Sequence, residues 1–321
     1  MSIADTMMTR RSAVALGATA MGAVALAGCS SQQNAPAPTT SGDKSATALD
    51  AGAFDALIAR GPVADAAVVD ANAWAKRVKD AKALRVGCVR TATLFSLLNE
   101  TDGHIRGFDA GLFQLLTRYI LGDSEAYEPT QVTSDTRESV LQNDQVDTVF
   151  ATYSITDKRK ALISFAGPYF TSKQGILVSS NNSTINGVSD LAGKIVAAQS
   201  GSTGPSIVEQ YAPQATVQEF STDEEARTAL EQGRVDAYVI DATIHMSSVV
   251  GNPGKYRLLD ETFGPEDNYG IGLPLNSDGV AFVNEFLTQI EHEGIWADLW
   301  KICIGNRTGL TEVPNPPAIS A

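Results

Sequence analysis

One local pattern occurs twice in this sequence. Residues 141–152 (LQNDQVDTVFAT) and residues 230–241 (LEQGRVDAYVID) each have the pattern of a helix end, a tight turn, a Val-Asp pair and an apolar strand. A strand, a loop and a helix precede each copy in the same order. This repetition predicts two α/β lobes of similar plan. Because strands alternate with helices, we expect the sheets to be mostly parallel.

A short strand precedes each copy of the pattern. Residues 85–89 (RVGCV) lead through a loop to residues 107–109 (GFD) and a helix with one apolar face. Residues 194–198 (KIVAA) lead through the polar, Gly-rich loop 199–204 to a second helix. In parallel sheets, ligands bind beyond the carboxyl ends of the strands. We therefore expect one cleft, lined by the loops that follow Val89, Phe150, Ala198 and Ile240.

Two of these loops have the residue types of an anion site. Thr152 and Ser154 supply hydroxyls, and Arg159 follows closely; a guanidinium holds a carboxylate through two parallel hydrogen bonds. Ser202 and Thr203 supply hydroxyls beside the N-terminus of a helix, which also favours a carboxylate. Each pattern is equally compatible with an ordinary helix cap or turn and a surface arginine.

Two further charged residues follow strands. Asp241 ends an apolar strand, where its carboxylate could receive an ammonium group or cap the next helix. Arg90 follows the first strand and could take a second, distal carboxylate or remain a solvated surface residue. Two loops that could bind a carboxylate and one carboxylate that could bind an ammonium group together match the charges of a zwitterionic amino acid.

The first 28 residues have the pattern of an export signal. Arg10 and Arg11 are followed by an uncharged, apolar run that ends in LAGC at Cys29. This ending resembles the bacterial lipobox, in which the cysteine thiol receives a lipid. The paired arginines fit either the twin-arginine route or an ordinary Sec signal. We expect a chain anchored to the membrane at Cys29 without spanning it.

The charge balance excludes some classes of partner. Without residues 1–28 the chain keeps 22 basic and 36 acidic residues, since that segment holds two of the 24 basic and one of the 37 acidic residues, and its net charge becomes −14. This excess argues against a nucleic-acid partner and against binding to an anionic lipid surface. The three His and three Cys are scattered, so neither a metal nor another cofactor is expected. Residues 29–48 are predicted to be a flexible tether and residues 49–83 a helical extension on the first lobe.

Several stretches resemble one known family, the extracellular solute-binding proteins that serve ABC importers of polar amino acids. The resemblance covers residues 84–306 and is carried by residues 154–159 (SITDKR), 165–170 (FAGPYF), 107–109 (GFD), 233–237 (GRVDA) and 269–274 (YGIGLP). Within the family the chain is most similar to actinobacterial glutamate- and glutamine-type lipoproteins. One departure is Gly111, where the family usually has an acidic residue.

The resemblance implies a role for each candidate residue. Arg159 would clamp the ligand α-carboxylate together with a first pair, Thr152 and Ser154, and a second pair, Ser202 and Thr203. Asp241 would receive the α-ammonium group. Arg90 would take the side-chain carboxylate of an acidic amino acid, and Phe95 would lie against the ligand.

The resemblance also implies a fold of the type II periplasmic-binding-protein class. The first lobe would comprise residues 84–174 plus 270–310 and the second residues 176–267, with crossings near 174–177 and 268–271 and a tail at 311–321. Closure of the lobes would trap a free amino acid, glutamate or aspartate first and then glutamine or asparagine.

The expected partners are ABC permease subunits at the outer face of the cytoplasmic membrane, and we expect the binding protein itself to be a monomer. Two alternatives remain: a lipoprotein that senses amino acids for a membrane signalling partner, and a dehydratase-like enzyme on the same fold. Cys88 and Cys303 could form a disulfide or remain two buried thiols.

Overall fold

The structure, a computed structural model, describes residues 48–320. The predicted signal at 1–28, the lipid-bearing Cys29 and all of the predicted tether except its last residue lie outside the described residues. Within residues 48–320, no helix has the length and apolar character that crossing a membrane requires.

Helices and short strands alternate along most of the described chain. The helices are α1 Ala51–Ala59, α2 Ala66–Ala71, α3 Ala73–Ala81, α4 Phe108–Leu121, α5 Arg137–Gln142, α6 Asp157–Lys160, α7 Gly204–Tyr211, α8 Asp223–Glu231, α9 Ala242–Gly251, α10 Gly279–His292, α11 Ile295–Trp300 and α12 Asn306–Thr308. The strands are β1 Leu84–Cys88, β2 Thr91–Ala92, β3 Ser96–Leu98, β4 Ile105–Arg106, β5 Tyr127–Gln131, β6 Thr148–Phe150, β7 Ser164–Ser179, β8 Ile195–Gln199, β9 Thr216–Phe220, β10 Ala237–Asp241, β11 Tyr256–Leu258 and β12 Phe263–Leu273.

The predicted repetition is present in the main sheet. Its order in the described part of the chain is β5-β1-β6-β12-β7-β10-β8-β9, with β11 also paired to β7. Strand β1 lies between β5 and β6 and is parallel to both, and β8 lies in the same way between β9 and β10. We call the part of the sheet formed by β5, β1 and β6 the first half and the part formed by β9, β8 and β10 the second half. Each half thus has three parallel strands, with the strand that comes first in the sequence at the centre. Strands β2, β3 and β4 form a small separate sheet.

The aspartate of each Val-Asp pair fixes the first strand of its own half. Asp147 Oδ2 accepts a hydrogen bond from the backbone N–H of Arg85 at 3.0 Å, and Asp236 Oδ2 accepts one from that of Ile195 at 2.8 Å. The N–H groups of the two aspartates donate back to the Arg85 and Ile195 carbonyls, each at 2.8 Å. The repeated sequence pattern thus encodes a repeated pair of hydrogen bonds between neighbouring strands.

Two long strands connect the halves. Strands β7 and β12 pair with each other in antiparallel fashion; β12 also pairs with β6 of the first half, and β7 with β10 of the second. The crossings expected near 174–177 and 268–271 fall within these strands. The sequence-based lobe boundaries stay a prediction, because both strands run through one continuous sheet.

Residues 49–83 form α1, α2 and α3 and lie against the first half. Phe54, Trp74 and Val78 are buried in the same apolar cluster as the side chains of β1 and α4. The indole Nε1 of Trp74 donates to the Asp147 carbonyl at 3.1 Å. The extension therefore packs beside Asp147, the residue that holds the start of β1.

The chain beyond β12 returns to the first half through α10 and α11. Trp296 and Trp300 of α11 are buried in its core. A Cβ at Gly111 would lie 2.5 Å from Leu299 Cδ1 of the same helix α11. Packing of α11 on α4 thus leaves no room for the acidic residue that the family usually has at this position.

The two described cysteines are free and buried. Burial raises the pKa of the Cys88 thiol to about 12 and that of Cys303 further still. The structure therefore favours two inert thiols over a disulfide.

Candidate functional site

The loops predicted to form a cleft surround one cavity. Its volume is about 970 Å³ including the open mouth, and residues of both halves line it. Val89, Thr152, Ser202 and Asp241 belong to its wall, at or just beyond the carboxyl ends of β1, β6, β8 and β10. This is where parallel strands are expected to present ligand-binding residues.

The buried carboxyl group of Asp109 holds the loop after β6 in place. Asp109 accepts hydrogen bonds from the Thr152 N–H and from the Tyr169 hydroxyl, both at 2.8 Å. Burial raises the pKa of Asp109 to about 7. Thr152 has a φ of +42°, so this hydrogen bond holds a strained turn. Since its N–H is engaged by Asp109, Thr152 offers a ligand its hydroxyl rather than its backbone.

Arg159 lies behind the loop and is not among the residues of the cavity wall. Its guanidinium donates to the carbonyls of Ser154 and Gly201, both at 2.8 Å, and pairs with Glu138 at 3.3 Å. Its side chain is only 8% exposed. Arg159 therefore joins the two predicted anion loops, the loop after β6 in the first half and the loop after β8 in the second.

The loop after β8 approaches the first half closely. Gly201 has a φ of +68°, and a Cβ there would collide with Asp135. The neighbouring Ser200 hydroxyl donates to the Asp135 carboxylate. Glycine is therefore required both by the backbone conformation and by the close approach of Asp135. This approach brings the hydroxyls of Ser202 and Thr203 into the cavity wall.

Asp241 is 3% exposed and is surrounded by donors. The Gln174 amide donates to one carboxylate oxygen and the Tyr269 hydroxyl to the other, the latter at 2.7 Å. Asp241 makes no capping bond to α9, which was the alternative role for this residue. Burial, and then the neighbouring carboxyl group of Asp267, raise its pKa.

The remaining two candidates, Phe95 and Arg90, differ in their relation to the cavity. Phe95 belongs to the wall but is 1% exposed and packs edge-on against Phe108, Phe170 and Tyr269. Arg90 is not among the wall residues; its Nε donates at 3.3 Å to Gln131, which is one of them. Of the eight predicted ligand residues, the structure thus brings Thr152, Ser154, Ser202, Thr203, Asp241 and Phe95 to one cavity.

Sequence reasoning missed Arg137, which lies in the cavity wall at the start of α5. It is 4% exposed, and its Nη1 donates to the Ala151 carbonyl at 3.1 Å, while its Nε has no hydrogen-bond partner. Its guanidinium stacks 4.1 Å above the Tyr153 ring. Burial, and then Arg159, lower the pKa of Arg137 to about 10, so it remains charged at neutral pH.

The second half has wall residues in the equivalent place. Thr222, Asp223 and Arg227 follow β9 just as Arg137 follows β5. Asp223 and Arg227 form an ion pair at 2.7 Å. Among the ion pairs of residues 48–320, none includes Arg137. Arg137 is therefore the wall cation with capacity for a ligand anion.

The wall of the cavity carries charged and polar groups that can bind a small solute. No group of three or more His, Cys, Asp or Glu side chains is placed to hold a metal ion in the part of the chain that the structure describes. The wall offers one buried cation, Arg137, two buried carboxyl groups, those of Asp109 and Asp241, and several hydroxyls. Such a set can hold a small, multiply charged solute through charge-assisted hydrogen bonds.

Comparison with known proteins identifies similar chains. The family model of the bacterial extracellular solute-binding proteins, family 3, matches residues 84–304. A glutamine-binding protein of Geobacillus stearothermophilus is 38% identical over 198 residues, which cover 61% of this chain and 74% of that protein. The glutamate-binding protein GluB of Corynebacterium glutamicum is 30% identical over 234 residues, covering 70% of this chain and 79% of that protein. An ancestral arginine-binding protein, solved bound to glutamine, matches with a TM-score of 0.63 at 32% identity, covering 70% of this chain and 98% of that one.

Proposed function

The chain belongs to the bacterial extracellular solute-binding proteins of family 3, and from that membership we propose that it captures an acidic amino acid, glutamate or aspartate, for an ABC importer. Its fold is the type II periplasmic-binding-protein fold. Like its named relatives it is a binding protein and not an enzyme. Glutamine and asparagine are the next candidate ligands.

One observation carries the choice of ligand class. The same cavity wall contains the buried, charged Arg137 with a free Nε and the buried Asp241. A buried cation and a buried carboxyl group are costly unless a partner compensates them. A solute with an ammonium group and carboxylates supplies both partners at once, which supports an amino acid with an acidic side chain.

We assign the ends of the amino acid as follows. The α-ammonium group pairs with Asp241. The α-carboxylate binds at Ser154 and Thr203, beside the charge of Arg159 and close to the N-terminus of α7. The side-chain carboxylate pairs with Arg137, with Arg90 as a second, more exposed candidate for the same role.

The cellular setting completes the proposal. Cys29 would carry the lipid anchor at the outer face of the cytoplasmic membrane after export by the Sec or twin-arginine route. The predicted tether, uncharged from Cys29 to Gly42, would lift the binding domain toward permease subunits, which would recognise the closed form. The relatives' names, which include glutamine- and glutamate-binding proteins, support the amino-acid ligand.

A thermal-shift screen against the common amino acids tests the function. We expect L-glutamate and L-aspartate to raise the melting temperature most and apolar amino acids to leave it unchanged, because a ligand stabilises the fold by RT ln(1 + [L]/Kd). Glutarate, which lacks the ammonium group, serves as the matched control. A screen in which no amino acid raises the melting temperature would contradict the proposal.

Replacing Arg137 with glutamine should change selectivity. We expect the affinity for L-glutamate to fall about tenfold more than that for L-glutamine, because only glutamate brings a charge to the buried guanidinium. The comparison variant Arg90→Gln should have a smaller effect, since Arg90 is more exposed and its field is screened. Calorimetric titration of both amino acids into both variants measures this. Equal losses for the two ligands in Arg137→Gln would remove Arg137 from side-chain recognition.

A further inference from the structure

The side-chain carboxylate of Asp267 occupies the position that we propose for the α-carboxylate of the ligand. Its Oδ2 accepts hydrogen bonds from Ser154 Oγ at 3.0 Å and from Thr203 Oγ1 at 3.2 Å. Ser154 follows β6 of the first half, and Thr203 follows β8 of the second. Asp267 lies on β12, one of the two strands that connect the halves. A single carboxylate group therefore joins one wall residue of each half, Ser154 and Thr203.

The two hydroxyls cannot serve Asp267 and a ligand carboxylate at the same time. A serine or threonine hydroxyl has only one proton to donate. Both protons are directed to Asp267 Oδ2, and a charged acceptor makes these bonds stronger than ordinary ones. The positive charge of Arg159 also acts on Asp267. Binding of a ligand α-carboxylate at Ser154 and Thr203 therefore requires Asp267 to leave.

We propose that Asp267 is a specificity-determining residue: an internal competitor for the α-carboxylate site, displaced only by a solute that carries an ammonium group next to its carboxylate. This inference rests on the proposed function, because it concerns the same site. Asp267 would turn away from Ser154 and Thr203 when such a solute binds, and it would hold the two halves together before then.

The neighbouring Asp241 explains why the ammonium group matters. The Asp241 and Asp267 carboxyl groups interact directly, and two negative charges in a buried site would repel, so Asp241 keeps a proton in the free protein while Asp267 carries the charge. An amino acid replaces the Asp267 carboxylate with its own but also brings an ammonium group for Asp241. A plain dicarboxylic acid brings only negative charge. The exchange thus favours an amino acid and disfavours its deaminated analogue.

Calorimetric titration of variants tests the competition. We expect Asp267→Ala to lower the Kd for L-glutamate about tenfold, because two hydroxyls are freed from a charged acceptor. We expect glutarate to show no measurable binding to the wild type and to bind Asp267→Ala measurably. Asp267→Asn keeps the shape without the charge and should give a smaller gain. An unchanged or higher Kd in Asp267→Ala would overturn the proposal and would assign Asp267 to structure or to direct ligand contact.

A matched control separates competition from a general charge effect. Glu266 precedes Asp267 on β12 and is exposed, so Glu266→Gln removes one negative charge from the same strand. We expect its Kd for L-glutamate and its failure to bind glutarate to equal those of the wild type. A gain in Glu266→Gln as large as in Asp267→Ala would show that net charge alone is responsible.

Small-angle X-ray scattering without added amino acid tests the bridge independently. Asp267→Ala should have a larger radius of gyration than the wild type, because the variant lacks the carboxylate that joins Ser154 to Thr203. An unchanged radius would contradict the bridging role. A wild-type protein that binds none of L-glutamate, L-aspartate, L-glutamine and L-asparagine would refute the proposed function, while the scattering comparison would still decide whether Asp267 joins the halves.

Discussion

Replacing Arg159 with alanine is expected to raise the Kd for the preferred amino acid about a hundredfold or more. The guanidinium joins carbonyls of Ser154 and Gly201, which lie in different halves of the molecule, and pairs with Glu138. The variant loses a positive charge beside the carboxylate site and also the link between the two anion loops. Glu138, whose side chain is 17% exposed, would remain without its cation. Calorimetric titration of the amino acid that the screen selects measures the loss.

The neighbouring Lys158 provides the control for this experiment. Lys158 lies on the same short helix, α6, and is exposed, so Lys158→Ala makes the same charge change while every buried hydrogen bond of Arg159 stays in place. We expect it to bind like the wild type. Arg159→Lys keeps the charge but not the planar fork and should recover only part of the affinity. Normal binding by a folded Arg159→Ala protein would place the ligand carboxylate elsewhere.

The sequence predicted the fold because the information about it is local and occurs twice. The Val-Asp pairs precede strands in both halves, and the same backbone hydrogen bonds follow from Asp147 and Asp236. The exact crossing positions are less predictable. They depend on pairing between β7 and β12, whose partners are far apart in sequence, and no local pattern marks where one half ends.

The candidate site was predictable only where a recognised strand precedes the loop. Thr152, Ser202 and Asp241 were found in this way. Strands β5 and β9, which pair with β1 and β8, were not recognised. The wall residues at or beyond their carboxyl ends were therefore missed: Gln131, Thr133, Ser134 and Arg137 at β5, and Thr222, Asp223 and Arg227 at β9. Extending the carboxyl-end rule to every parallel strand would have found them.

Asp267 could not be found by that rule. It lies within a long antiparallel strand, 113 residues from Ser154 in the chain, and no periodicity marks it. Its importance arises only when three distant segments meet. The same holds for the guanidinium of Arg159, whose motif predicts an anion contact but not the Gly201 carbonyl that it also holds.

Replacing Asp241 with asparagine is expected to lower the affinity for the preferred amino acid about 10- to 100-fold, because a neutral amide replaces the charged partner of the α-ammonium group. The size of the side chain is kept. However, Gln174 and Tyr269 both donate to the Asp241 carboxylate. One of these donors would therefore face the amide nitrogen of the variant, which cannot accept a hydrogen bond. The exposed Asp260 gives the control variant Asp260→Asn, which should bind like the wild type.

The pH dependence of binding gives the same experiment a second readout. Burial and the nearby Asp267 raise the pKa of Asp241 to about 8, so the free protein holds a proton there at neutral pH. An ammonium group favours the ionised carboxylate, so ligand binding must release that proton, and affinity should rise by at most about tenfold per pH unit up to the raised pKa. Tyr269 and Gln174 also contact this carboxylate, and Arg137 acts on it through its charge, but Arg137 stays protonated throughout. Asp241→Asn should therefore have a flat profile between pH 5 and about 8. A wild-type profile as flat as that of the variant would mean that Asp241 is not the group that receives the ammonium.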